Sequence, residues 1–314
     1  RQGASPYETV VEGAREKLEV TRHTLTRQQL TSVPGTFGDP LRVLSNLPGI
    51  QRSPFATGFL LVRGTNPDDS GVYVDGHRVP NLYHFLGGPS ILNPEFLEQI
   101  NLYPGGFPAR FGRALGGVVE IETRSTKSDG VHGSADVDLL DAGVYMRAPV
   151  GDNVTVAAAA RRSYIDALLP WVLPEPSPGD ALIVVPVYWD YQAKVDVKVG
   201  SRDHLSVLAF GSDDRLDVLA TSAEDEETFD LGTHIGFHRV RVGYETSIGA
   251  DLVLSISQAF GQDVFAFSGG DRSALRSTQR VTSLRERIKG ALSPSLRIDT
   301  GIDLEYRLAE YSLS

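Results

Sequence analysis

The second half of the chain alternates apolar and polar residues over long runs. From Val187 to Val199 the odd positions are Val187, Trp189, Tyr191, Ala193, Val195, Val197 and Val199, set against Asp190, Gln192, Lys194, Asp196 and Lys198. From Leu296 to Leu308 the even positions are Leu296, Ile298, Thr300, Ile302, Leu304, Tyr306 and Leu308, set against Arg297, Asp299, Asp303, Glu305 and Arg307. Successive side chains of a strand point to opposite faces, so each run predicts a ribbon with one apolar and one polar face. Soluble strands average about 5–6 residues, whereas a tilted strand crosses a bilayer with about 9–11. The pattern predicts nine strands, near 135–140, 143–149, 153–163, 187–199, 204–215, 232–246, 251–267, 281–290 and 295–310. Short turns near 151–153, 200–203, 247–251 and 291–295 alternate with long connections at 164–186, 216–230 and 268–280. Loops of two sizes at the two ends of long strands predict an antiparallel membrane barrel rather than a soluble sandwich.

The first half follows a different grammar. Residues 1–35 have no core-forming period and predict an extended, little-packed segment. Asp39-Pro40 predicts a short helix, because Asp caps free amides and Pro fits the first helical position; Leu41, Leu44 and Leu47 face a core and Pro48-Gly49 ends it. Asn93-Pro94-Glu95 repeats that signal. Phe59–Val62, Val72–Val74, Ile100 with Leu102, and Val118–Ile121 predict strands, and Asp75-Gly76 a hairpin turn. The sum is a small α+β domain over 36–125, followed by barrel strands over 126–314.

Charge sharpens this division. Residues 1–125 hold 12 basic and 12 acidic side chains, and the remainder hold 18 and 28, so the whole net charge of −10 sits in the second half. Such a surface disfavours nucleic acid, and no nucleic-acid partner is expected. Cysteine is absent, which removes disulfides, thiol catalysis and Cys-ligated zinc. The seven His lack metal-ligand spacing, so no metal and no cofactor is expected. No window supplies the ~18 apolar residues of a membrane helix, so any crossing must use strands. Without an initiator Met or signal peptide, and with Ala309–Ser314 inside a strand pattern, the chain reads as an internal piece of a longer precursor.

Four motifs in order then carry a resemblance: P-L-R-V-L-S-N-L-P-G-I from Pro40, F-L-L-V-R-G from Phe59, V-Y-V-D-G-H-R-V-P from Val72, and N-P-E-F-L-E-Q-I-N-L-Y-P-G-G-F-P-A-R-F-G-R-A-L-G-G-V-V-E-I-E-T-R from Asn93. Over 39–124 the chain resembles the plug domain of TonB-dependent outer-membrane receptors. The resemblance implies an α+β plug followed by antiparallel transmembrane β-barrel strands, here about nine of the roughly 22 in a complete plugged barrel. It implies location in the bacterial outer membrane, contact with outer-membrane lipid, and energy-coupled uptake of a scarce or bulky extracellular solute gated by the plug. Surface signalling, or export and display of macromolecules, is the alternative; no enzymatic activity is implied. Residues Glu8, Thr9, Val10, Val11 and Glu12 lie where the family keeps its TonB box, a peptide that would add as a strand to TonB of the inner-membrane complex. Tyr83-His84-Phe85 and F-P-A-R-F-G-R depart from the usual wording and read as marks of a subfamily.

The resemblance also places an arginine lock between plug and barrel, for which Arg63, Arg110 and Arg113 are the candidates, with Glu245 and Glu305 as partners by lumen-facing parity. Solvated arginines on a plug surface are the plainer reading. Gly64, Gly76, Gly112, Gly116 and Gly117 read as backbone-geometry residues, and Gly105-Gly106 lacks the Lys-Ser/Thr of a phosphate cradle. Asp75 with His77 is explained by a hairpin, and Ser163, His204 and Asp190 have no triad spacing. The acidic run 223–230 reads as solvated charge in an extracellular loop, and Trp189 as part of an interfacial aromatic belt.

Overall fold

The computed structural model describes residues 22–36, 38–52, 58–66, 69–172, 183–221, 228–249, 251–269 and 273–313. The N-terminal part is a five-stranded mixed sheet of order β1-β6-β7-β4-β5, formed by β1 (His23–Thr26), β4 (Gly71–Val74), β5 (His77–Val79), β6 (Leu97–Tyr103) and β7 (Val118–Thr123). Only the β4–β7 pair is parallel. A two-stranded ribbon, β2 (Ile50–Arg52) with β3 (Leu60–Val62), lies beside it. The expected caps are present: Asp39 accepts the Leu41 amide at 3.0 Å and Asn93 accepts the Glu95 amide at 2.9 Å, each opening a short 3₁₀ turn. Asp75 and Gly76 take φ of 45° and 85°, as a type I′ hairpin turn requires.

Residues 23–32 differ from the extended reading. Strand β1 covers the free edge of β6, and α1 (Arg27–Ser32) follows, started by Gln29, whose side chain accepts the Thr26 amide at 2.9 Å. Leu30 is fully buried. Leu25 and Leu30 are the apolar side chains this segment packs on the core, too few positions to make a period.

The C-terminal part is one antiparallel meander of nine strands: β8 (His132–Val137), β9 (Asp141–Val150), β10 (Val154–Ser163), β11 (Ile183–Val199), β12 (Asp203–Thr221), β13 (Thr228–Ile248), β14 (Leu252–Gly269), β15 (Ser273–Ser293) and β16 (Leu296–Leu313). The strand number matches the pattern, but β12, β13 and β15 run past their expected ends. The apolar–polar alternation ends before the hairpin ladder does, because each strand still satisfies its neighbour's backbone groups. The expected long connections at 216–230 and 268–280 are therefore mostly strand, while α2 (Ile165–Val172) opens the one after β10. Strands β8 and β16 form the sheet's two edges, so the barrel is open here.

Parity is as expected. Asp190, Gln192, Lys194 and Asp196 are buried on the concave face, and Val240, Val242, Phe260, Leu304, Tyr306 and Leu308 are exposed on the other. Trp189, Tyr191 and His238 cluster with ring centroids 5.9 Å apart. The domain seats in the concave face. Its core, including Leu41, Leu44, Val62, Leu82, Phe96, Ile100 and Ile121, is continuous with Tyr145, Ala157, Ala159, Leu208, Phe210 and Phe237 of the wall.

Candidate functional site

The seam between plug and wall carries most of the buried polar chemistry. On the β10–β12 side, the 83–93 segment passes through a row of inward polar residues. His84 is fully buried, with Nδ1 2.7 Å from Asp214 Oδ1 and Nε2 3.0 Å from Asp190 Oδ2. Its ring stacks on Tyr188 at 4.2 Å. Arg161 donates from Nε to Asp190 at 2.8 Å and from Nη2 to the Ser90 carbonyl. Gln192 donates to the Ile91 carbonyl at 2.9 Å and accepts the Asn93 amide at 3.1 Å. Asp39 braces Ser90 from the plug side, accepting its amide and hydroxyl at 2.8 Å each. Further along, Lys194 donates to Thr123 Oγ1 and the Arg124 carbonyl, and Asp196 accepts the Thr126 amide at 2.7 Å.

The β13–β16 side is built differently. Arg113 reaches Asp303 at 2.8 Å and Glu305 at 3.6 Å, with its side chain 38% exposed. Arg285 pairs with Asp303 at 2.6 Å and donates to the Arg110 carbonyl at 3.1 Å. His77 contacts Ser283 at 2.7 Å and Ser257 at 2.9 Å. Cavities of about 370 and 450 Å³ open on this side, the first lined by Asn81, Arg239 and Gln279 among others, the second by Arg110, Arg287 and Asp299.

The two plug histidines therefore sit in opposite fields. Burial, with Arg241 and Arg285 beside it, pulls His77 down to about 3, so it is a neutral hydrogen-bonding ring. Burial would also lower His84, but Asp214 and Asp190 outweigh it and push the ring up to about 9. Its neighbours are these two carboxylates, Arg161 and the Tyr188 ring. A raised histidine stabilises the folded state fully below its unfolded value near 6.5 and loses that contribution as pH rises through 9, a change of about 3 kcal/mol. The plug's urea midpoint in the full-length protein should accordingly be flat below about pH 6.5 and fall toward pH 9. His84→Gln should flatten that decline.

The three candidate arginines have three fates. Arg113 crosses to the wall. Arg110 stays within the plug, donating to Glu120 and the Tyr103 hydroxyl at 3.1 Å each and lying 4.6 Å over the Phe111 ring. Arg63 is exposed at a turn with φ of 54° and packs along Gly49 and Gly105. Of the candidate partners, Glu305 meets Arg113, whereas Glu245 accepts from Ser255. Gly64 and Gly76 take left-handed φ; a Cβ on Gly116 or Gly117 would strike Thr65 or Val62, and Gly112 has an ordinary helical φ of −63°. Residues Glu8 to Glu12 lie outside the described residues. The His84 cluster carried only partial sequence signals: inward parity for Asp190 and Asp214, and the unusual wording of Tyr83-His84-Phe85.

Comparison with known proteins agrees with this geometry. Residues 14–118 match the TonB-dependent Receptor Plug Domain family. The chain is 32% identical over 105 residues to the TonB-dependent transporter Oar of Myxococcus xanthus, covering 32% of this chain and 9% of that protein. In fold it is similar to P. aeruginosa FpvA, solved bound to heterologous pyoverdines, at TM-score 0.65 and 12% identity, covering 94% of this chain and 43% of that one. The siderophore receptor PiuA from Acinetobacter baumannii gives TM-score 0.61 and 10% identity, with 93% and 46% covered. The chain thus spans less than half of each of these proteins. With residues 14–118 matching a TonB-dependent receptor plug domain and seated against an open meander of nine antiparallel strands, the chain is similar to the plug and part of the barrel of such receptors.

Proposed function

We propose that this chain serves TonB-dependent, energy-coupled uptake of a scarce or bulky solute across the bacterial outer membrane, with the plug gating the barrel lumen. The observation that carries this reading is the polar seam. Plug and wall meet through ion pairs and hydrogen bonds from β10 to β16, of which the Arg113 contacts with Asp303 and Glu305 are partly hydrated. Partly hydrated pairs are individually worth about 0–1 kcal/mol, so they hold a register yet can be exchanged for water. Arg113 is the releasable contact in this reading; Arg110 stiffens the loop that presents it, and Arg63 holds the turn behind that loop. TonB engages Glu8 to Glu12 by strand addition, where main-chain hydrogen bonds supply the grip.

The test is uptake of candidate solutes by cells expressing the full-length receptor with Tyr7–Gly13 deleted. Uptake should fall to background while binding to intact cells persists. Val10→Pro should behave alike, because proline lacks the N–H that a pairing strand donates. Undiminished uptake by both variants would end the TonB-coupled reading.

A further inference from the structure

The two walls hold the plug with chemistry of different kinds, and the difference sets an order of release. On the β10–β12 wall, His84, Arg161, Asp190 and Asp214 form a balanced set of two cations and two carboxylates. Asp190 and Asp214 are each 2% exposed, and Gln192 is 1% exposed. Carboxylates buried so completely keep their partners because separation leaves them unpaired away from water, although Arg161 itself is 13% exposed. Moving the 83–93 segment away would break His84 from both carboxylates, Arg161 from the Ser90 carbonyl, and Gln192 from both Ile91 and Asn93. These contacts are contiguous and cannot be given up one at a time to water.

On the β13–β16 wall the corresponding step is small. Arg113 is already partly hydrated, and Asp303 keeps Arg285 as a partner when Arg113 leaves. His77 is neutral and exchanges two serine hydroxyls for water. The cavities beside Asn81 and beside Arg110 give the plug room on this side.

We propose that the His84–Asp190–Asp214–Arg161 cluster is a fixed anchor, so that the plug parts from β13–β16 first and segment 84–93 is the last of these contacts to leave the wall. As a statement about transport this rests on the reading that the plug moves; the release order itself is a property of the resting protein.

Hydrogen exchange read by mass spectrometry on the full-length receptor in detergent micelles, over a series of sub-denaturing urea concentrations, tests it without solute or TonB. The reporter amides are Ser90, Ile91 and Asn93 on one side, bonded to Asp39, Leu82 and Gln192. On the other are Phe111, Leu115 and Gly116, bonded to Pro108 and Asp69. In the wild type, peptides over 105–116 should exchange at least about tenfold faster than peptides over 84–93, with the gap persisting as urea rises. Asp214→Asn should narrow the gap by about tenfold, and His84→Ala should close it. Exchange of 84–93 together with or ahead of 105–116 in the wild type overturns the proposal, and needs no variant to fold. A gap unchanged in His84→Ala also overturns it. Because uptake is not measured, a failure here is separable from a failure of the TonB-coupled reading.

Discussion

Asp190→Ala is expected to lower the stability of the seated plug by about 3–5 kcal/mol, the range for removing one partner from a buried charge set. Asp190 accepts from His84 Nε2, from Arg161 Nε and Nη2, and from Gln192 Nε2. Of the set, its loss leaves two cations with one carboxylate, Asp214, which pairs with His84 and accepts from the Ser212 hydroxyl. Arg161 cannot relieve this by losing its proton, since a guanidinium stays charged throughout the accessible range. With a urea slope of about 2 kcal/mol per M, the midpoint for loss of protection over 84–93 should fall by about 2 M. Asp190→Asn keeps the volume and some acceptor capacity and should fall between wild type and alanine. Equal midpoints for wild type and Asp190→Ala would mean that the cluster contributes no net seating energy.

Phe111→Ala should be comparably costly, by a mechanism with no charge in it. Phe111 is buried at the centre of an aromatic group, with ring centroids 4.9 Å from Tyr73 and 5.8 Å from Tyr103, and Arg110 and Arg285 lie over its face. Truncating a buried phenylalanine costs about 3–5 kcal/mol, part of it for the cavity that neighbours fail to fill. The loop carrying Arg110 and Arg113 hangs on this ring, so Arg113 should lose its register with Asp303 as well. Protection at Leu115 and Gly116 should be lost first, while 84–93 stays protected. Phe111→Leu, which restores most of the volume, should recover much of the loss. A full recovery would show that the cation–π and ring–ring contacts add little to volume.

Histidines 77 and 84 show what could and could not be read ahead of the fold. In the linear sequence His77 stands between Gly76 and Arg78, and His84 between Tyr83 and Phe85. Nothing local separates them. Burial against wall residues 180 and 206 positions away, with Arg241 and Arg285 beside it, keeps His77 neutral, and carboxylates 130 and 106 residues away make His84 a cation. Arg110 and Arg113 teach the same lesson. They lie three residues apart, yet one pairs inside the plug with Glu120 and the other crosses to Asp303.

The sequence by itself determined what depends on local stereochemistry and on which medium each face meets. Asp39-Pro40, Asn93-Pro94 and Asp75-Gly76 act through their own backbone and nearest amides, so those caps and that turn stand where the pattern puts them. Alternation from Val187 and from Leu296 records an exposed apolar face and an inward polar one, so strand number and inward parity were legible. The tertiary structure alone decided the ends of β12, β13 and β15, the docking of β1 on β6, and the partners across the seam. Each of these depends on free energy gained between segments far apart in the chain. A residue's type fixes its capacity for such a contact, while the fold supplies the distance at which that capacity is used.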